Sequence, residues 1–366
     1  MLDGLRVVEV SAFVAAPYAG ATLARLGAEV IRVEQLGGGI DARRWPVHDG
    51  RSLYRAGLDE GKRSVAVDLR SERGRELVAD LLCGGDESGG IVVTNLGGRG
   101  CLTYENLRAR RHDIVMVSIT GTPDGRSAVD YTVNAELGFP YVTGPEGGRP
   151  VNHVLPAWDL LTGALAAASI LGAERKRRLT GEGSLVELAL SDVALSATRS
   201  LGFFAEAALV DEPRARYEND LYGSYGRDFR TLDGRDVMVC ALTPRQWGSL
   251  IEATGIAEGV TALERERGVD LRDEGARFEC RHAISALVEP WVAARTLAEV
   301  ASAFDATGVL WGRYRTFKEL VTDHPGVVAP KRPAPELGAD TEAVLLEHLG
   351  LNRGSIDELR AACVIA

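Results

Sequence analysis

The chain has 366 residues, 45% of them hydrophobic and 26% charged, enough for a large core in two domains or in one elaborated domain. Its net charge of −10 argues against general binding to nucleic acid or to an anionic membrane, so an anionic ligand would need a dedicated basic pocket. The five cysteines, Cys83, Cys101, Cys240, Cys280 and Cys363, form no CxxC pair, which predicts free thiols in a reducing compartment and no metal framework. The opening MLDGLRVVEV has neither a basic n-region nor a long apolar stretch, and no window matches the length of a membrane span; a cytoplasmic location is expected.

Leu5–Val10 reads as a Val-rich strand, and Pro17 then sits in the first turn of a helix running through AGATLARLGA. Val30–Val33 is the next strand. Arg63–Leu69 alternates with period two, and Glu72–Leu82 is an amphipathic helix. Ile91–Thr94 and Ile114–Ile119 are strands, with a helical stretch from Tyr104 between them. This alternation predicts an α/β fold in which helices cover a parallel sheet. Ala157–Arg178 is a long helix whose basic end, ERKRR, suits the negative pole of the helix dipole. A strand at Leu185–Leu188 and a further helix follow. The polar stretch Asp211–Gly226 marks a domain boundary. Beyond it, Phe229–Thr231, the Asp233–Gly234 turn and Val237–Ala241 form a hairpin, with helices up to about Phe304. The Pro-rich stretch Asp323–Gly338 reads as a linker or crossing arm.

No GxSxG elbow, GxxxxGK[ST] loop or HExxH helix is present. Gly37–Gly39 lacks the spacing of a dinucleotide loop. Gly97, Gly98 and Gly100, flanking Arg99 after a strand, form either a phosphate-facing turn or a tight strand-to-helix turn. Together with Lys62–Arg63 and Arg43–Arg44 they make either a pocket for a phosphorylated ligand or three solvated basic loops. Asp159, near the start of the long helix, reads locally as an N-cap or as a catalytic carboxylate, and His153 as a base or as a hydrogen-bonded structural residue. Local sequence leaves both pairs of alternatives open.

Five stretches, in order, resemble the family III CoA-transferases: LDGLRVVEVSAFVAAPYAGATLARLGAEVIRVE, GKRSVAVDLRS, VTNLGGRG, WDLLTGALAAASILGAERKRRLTGEGSLVELAL and PAPELGADTEAVLLEHLGL. The resemblance implies an interlocked homodimer. It also implies a Rossmann-like large domain over 1–212, a smaller α+β domain over 213–320 and an arm over 321–366 that returns to the large one. By the same resemblance Asp159 is the nucleophile that becomes acylated by an acyl-CoA. Coenzyme A enters as part of the substrate, with no tightly bound cofactor and no metal. Leu58, Lys62, Asn95, Leu96 and Arg99 match positions lining the CoA site.

Departures from the family pattern narrow the activity. The racemases of the family carry a catalytic His in a GHD motif; here AVDYT places Val129 at that position, which removes one partner of a two-base proton transfer. The Gly-rich flap of the intermolecular formyl-CoA transferases is replaced by NDLYGSYGRDF. GGGIDARRWPV, VDYTVNAELGFPYVTGP, VNHVLPAWDLLTG and LYGSYGRDFRTLDG are similar to the branch that moves CoA between the C1 and C4 carboxyls of mesaconate. That branch needs donors for a dianionic intermediate, and Arg44, Tyr131, His153 and Arg227 are the candidates. Intermolecular transfer to a free acid and a non-catalytic CoA-binding subunit are the alternatives. Between Asp323 and Pro335 the chain is markedly shorter than is usual in the family.

Overall fold

The computed structural model describes residues 1–85, 88–327 and 332–366. The chain divides into two compact units, the first made of residues 1–138, 152–211 and 330–366, the second of 139–151 and 212–329. The short insertion 139–151 therefore belongs with the second unit, although sequence placed it inside the first.

The first unit is built on six parallel strands, β1 (Arg6–Val10), β2 (Glu29–Gln35), β3 (Arg63–Val67), β4 (Ile91–Thr94), β5 (Val115–Thr120) and β6 (Ser184–Ala189). They pair in the order β3-β2-β1-β4-β5-β6. The expected strands all form, with ends shifted by at most two residues and Ile91–Thr94 unchanged. The third ends at Val67 instead of Leu69, because Leu69 N–H turns back to the Val67 carbonyl and Asp68 N–H goes to Val364.

Period-two alternation sorts the strand side chains onto two faces. Val8, Val10, Ile31, Val33, Val65 and Val67 pack against the helices Glu72–Cys83 and Tyr104–Arg110 and the C-terminal helices Thr341–Leu349 and Arg353–Ala361. Val7, Val30, Ile91, Val93, Val115 and Val117 pack against α1 (Ala15–Arg25) and the long helix Ala157–Thr180. Those last two helices are held in close contact by Gly163, where a Cβ would lie 2.5 Å from the Ala15 carbonyl oxygen and 3.1 Å from Tyr18 Cβ.

The C-terminal segment covers the open edge of the sheet. Ser64 N–H donates to the Asp340 carboxylate (2.9 Å), Ala66 N–H donates to the Thr341 hydroxyl (3.0 Å), and Ile365 bridges to Val67. An edge strand whose donors are spent internally offers no template to another chain. The expected shortening between Asp323 and Pro335 falls partly on residues 328–331, outside the described residues.

The second unit is α+β. Its antiparallel strands Tyr225–Arg230, Asp236–Ala241 and Leu310–Arg313 pack Tyr225, Phe229, Val237 and Val239 against helices that supply Trp247, Leu250, Ile284, Val288 and Phe304. The first two strands are the expected hairpin, the first beginning four residues earlier and ending one residue earlier, the second beginning one residue earlier.

Helix contact predicts opposite effects for two glycines of one helix. Gly163→Ala forces its methyl into α1 and lowers stability by about 1–3 kcal/mol. Gly172→Ala, where a Cβ meets nothing within 4 Å, is neutral or stabilising by up to about 1 kcal/mol through helix propensity. Chemical denaturation of both variants checks the pair.

Candidate active site

Strand order reverses between β1 and β4, and the carboxyl ends of such a pair diverge to leave the crevice where open α/β sheets receive ligands. The Asn95 side chain ties the two loops there together, accepting from Ala12 N–H (2.9 Å) and donating to the Ala12 carbonyl (2.6 Å). Phe13 follows in the left-handed region (φ 66°), a conformation unusual for a bulky residue. Its N–H donates to both carboxylate oxygens of Asp41, each at 3.1 Å. Leu96 and Arg99 lie exposed on the loop after Asn95, and Leu58 is half-buried at the end of the helix Leu53–Leu58. In the Gly-rich turn itself, a Cβ at Gly98 would sit 2.4 Å from the Leu102 carbonyl, so the turn needs glycine for chain packing.

Toward these strand ends the α1 face of the sheet changes from apolar to ionic. Arg32 is buried with Asp59, Asp41 (2.7 Å), Glu9 (3.8 Å) and Glu34 (3.8 Å) around its guanidinium. Burial works against the Arg32 charge, but Asp59, Glu9 and Glu34 together raise its pKa above the ordinary value. Burial likewise would raise the pKa of Asp59, yet Lys62, Arg32 and Arg55 bring the net shift downward. Arg55 pairs with Glu34 at 2.6 Å.

Lys62, expected to line the CoA site, belongs to this network. Its side chain is fully enclosed, and its ammonium donates to Glu9 (2.7 Å), the Pro17 carbonyl (2.9 Å) and Asp59 (3.3 Å). All three donors are spent, so Lys62 braces the start of α1 and offers nothing to a ligand in this conformation. Gly20 makes room for that contact: a Cβ there would lie 1.8 Å from Glu9 Oε2.

Asp159 is the third residue of the helix Ala157–Thr180, so it is not its N-cap. The cap comes from elsewhere in the chain. Asp130, at the start of the helix Asp130–Glu136, accepts from Trp158 N–H (2.7 Å) and Asp159 N–H (3.2 Å) through Oδ2. Its other oxygen pairs with His153 Nε2 at 2.7 Å. Asn134 accepts from the Trp158 indole N–H (3.1 Å), and the Tyr131 hydroxyl donates to the Val154 carbonyl (3.3 Å). These bonds satisfy helix donors that would otherwise be orphaned, and they leave the Asp159 carboxylate with no hydrogen-bond donor among the described residues. Partial burial first, and the Asp130 charge second, push its pKa up to about 6, against the opposing pull of Arg44.

The structure thus brings Asp159, Tyr131 and His153 together, with Arg44 close enough for its charge to act on Asp159. Arg227 lies in the second unit, on the strand Tyr225–Arg230, 3.7 Å from Asp220. Asp130, Phe13 and Tyr54 were not picked out by sequence. Asp130 is the acidic residue of AVDYT, and its adjacency to the missing His was the available signal. Tyr54 interacts electrostatically with Arg44, Asp159, Asp41 and Tyr131, and burial raises the pKa of its phenol.

The raised Asp159 pKa has a stability consequence. Above pH 6 the native state holds a disfavoured carboxylate, while the unfolded chain does not; below about the ordinary value of 3.8 both are neutral. Asp159→Asn therefore stabilises the protein by about 1–3 kcal/mol at pH 7–8. The gain shrinks as pH falls from 6 and vanishes near pH 4, which thermal denaturation across pH measures.

The chain is 47% identical over 400 aligned positions to the 2-methylfumaryl-CoA isomerase of Chloroflexus aurantiacus, covering all of this chain and 98% of that protein. The alignment exceeds the 366 residues here, so that relative has positions with no counterpart in this chain. A succinyl-CoA:glutarate CoA-transferase of Mus musculus is 25% identical, with 100% of this chain and 90% of that one covered. Among solved structures, a CAIB/BAIF family protein from Brucella suis superposes with a TM-score of 0.76 at 25% identity, over 94% of this chain and 98% of the other. Among the described residues no helix is long and apolar enough to cross a membrane. The model of CoA-transferase family III matches residues 2–331, and the chain belongs to that family.

Proposed function

We propose that this chain moves CoA between the C1 and C4 carboxyls of 2-methylfumarate, with Asp159 as the nucleophile. The observation that carries the mechanism is the Asp159 carboxylate, which lacks a hydrogen-bond donor among the described residues and is pushed up to a pKa of about 6 by burial and the Asp130 charge. It is more basic, and so more nucleophilic, than an ordinary aspartate, yet ionised at neutral pH. The substrate assignment rests on the full-length likeness to the Chloroflexus isomerase.

An Asp159 oxygen attacks the thioester carbonyl, the C–S bond breaks, and CoA leaves as thiolate from a mixed anhydride. The thiolate attacks the aspartyl carbonyl, releasing the dicarboxylate and leaving CoA on Asp159. The diacid then presents its other carboxylate and the steps run in reverse, so no proton is consumed overall. The trans double bond holds the two carboxyls apart, which rules out direct transfer through a cyclic anhydride. Retaining the diacid gives it a high effective concentration against external acids. Arg44, Tyr131 and His153 cluster around Asp159 as donors for it, and Arg227 is a fourth candidate.

Leu58, Asn95, Leu96 and Arg99 are proposed for the CoA wall, with Asn95 acting through the Ala12 backbone it holds. An interlocked cytoplasmic homodimer is part of the same reading. Exposed Leu161, Leu165, Leu195, Leu201 and Phe204, on and after the helices Ala157–Thr180 and Leu190–Ser200, support an apolar interface. Full-length likeness to an intermolecular succinyl-CoA:glutarate transferase favours external transfer as the second reading.

Incubation with 2-methylfumaryl-C1-CoA, followed by chromatography, tests the proposal. Conversion to the C4 ester without uptake of labelled free diacid is expected, and Asp159→Ala abolishes it. Uptake of the label selects the intermolecular reading, while turnover undiminished in Asp159→Ala excludes the mechanism. The same reaction is expected to slow about tenfold per pH unit well below pH 6, as Asp159 takes up its proton.

A further inference from the structure

The buried cations around this site are committed: Arg32 to Asp41 and Asp59, Arg55 to Glu34, Lys62 to Glu9 and Asp59. Arg44 is different. Its guanidinium is partly buried with its carbon 4.5 Å from the Tyr54 ring centroid and 5.3 Å from that of Phe13. Among the described residues no carbonyl or carboxylate accepts a hydrogen bond from it. Five N–H donors in a rigid fork are therefore unspent beside the candidate nucleophile.

Both rings are held in place by hydrogen bonds that also serve the fold, since Asp41 pairs with Arg32 and Ser52 caps the helix Leu53–Leu58. Phe13 takes its left-handed backbone because Asp41, itself anchored by Arg32, receives its N–H. Ser52 is buried and donates to the Arg44 carbonyl (2.6 Å) while accepting from Arg55 N–H (3.1 Å), so one hydroxyl joins the Arg44 loop to the helix turn bearing Tyr54. An arginine between two aromatic faces keeps its charge, loses rotamer freedom and turns its N–H edge outward. Phe13, Arg43, Arg44, Ile40 and Trp45 line a cavity of about 410 Å³ at this place.

We infer that the Phe13–Arg44–Tyr54 sandwich is a carboxylate clamp that selects acyl groups bearing a second, free carboxylate. Arg44 binds the carboxylate that is not joined to CoA, in a bidentate fork, while Phe13 and Tyr54 act as positioning residues. The clamp deepens the proposed function and rests on its assignment of Asp159 beside a dicarboxylic acyl group. It explains why the guanidinium is left without a hydrogen-bond acceptor, among the described residues, next to a carboxylate that must stay reactive: a salt bridge to Asp159 would quench the nucleophile, whereas two rings hold the charge without neutralising it.

Exchange of labelled CoA into an acyl-CoA reports anhydride formation alone and needs neither isomerisation nor an acceptor acid. Exchange is measured with 2-methylfumaryl-C1-CoA and with 2-methylbut-2-enoyl-CoA (E isomer), which carries a methyl group in place of the free carboxylate. Wild type is expected to favour the dicarboxylic thioester, and Arg44→Met to reduce that preference by about 10- to 100-fold. Arg44→Lys keeps the charge without the fork and falls between them, providing a second variant should Arg44→Met not fold. Phe13→Leu and Tyr54→Leu lower the preference ratio as well, an effect that mere destabilisation would not produce because it lowers both rates alike. Equal losses on both thioesters in both Arg44 variants, or no preference in wild type, overturn the clamp. Exchange without isomerisation would remove the isomerase reading and leave the preference ratio to decide the clamp on its own.

Discussion

The buried guanidinium of Arg32 is the contact on which the geometry of the site depends. It lies on the second strand, encircled by Glu9, Glu34, Asp41 and Asp59 from four different segments. A charge so enclosed is tolerated only when every oxygen near it is placed to compensate, and removing one member leaves another uncompensated. Each carboxylate in turn holds something the site uses. Asp41 holds the Phe13 backbone, Asp59 and Glu9 hold Lys62 against the first turn of α1, and Glu34 holds Arg55 on the helix of Tyr54. The apolar face that packs Val7 and Val30 thus becomes, two residues further along each strand, a rigid ionic platform under the ligand crevice.

A second constraint acts on Asp159, the proposed nucleophile. A carboxylate in the first turn of a helix ordinarily profits from the dipole and from free backbone N–H groups. Asp130 takes those N–H groups first, and its charge adds to the cost of a second negative charge nearby. The helix is capped and its own aspartate is left basic. One side chain therefore caps the helix and raises the Asp159 pKa, and His153 pairs with its other oxygen.

Much of the scaffold was legible in the primary structure. Strand and helix periodicity located all six parallel strands; the inner ones are buried on both faces and so are rich in Val and Ile, as in IVVT, whereas the edge strand Ser184–Ala189 is only partly buried. The missing His at Val129 was likewise visible. Lys62–Arg63, by contrast, read as part of a phosphate pocket or as a solvated basic loop, and the structure pairs both internally: Lys62 is enclosed, Arg63 pairs with Glu29 and Glu347, and the neighbouring Ser64 donates to Glu34 (2.6 Å). Charge in a sequence carries no mark of whether its partner lies 3 or 53 residues away, as the Asp59 and Glu9 partners of Lys62 do.

Periodicity and motif order by themselves determined the parallel α/β fold class and the family, because these depend on local pattern and on residues kept in register along one chain. Tertiary structure alone decided that Asp130 caps the helix of Asp159, that Lys62 is spent inside the protein, and that Arg44 lies over the rings of Phe13 and Tyr54. Those outcomes depend on which distant side chains compete for the same donor once the chain has closed. That competition is settled by distance and burial, neither of which is written in the order of the residues.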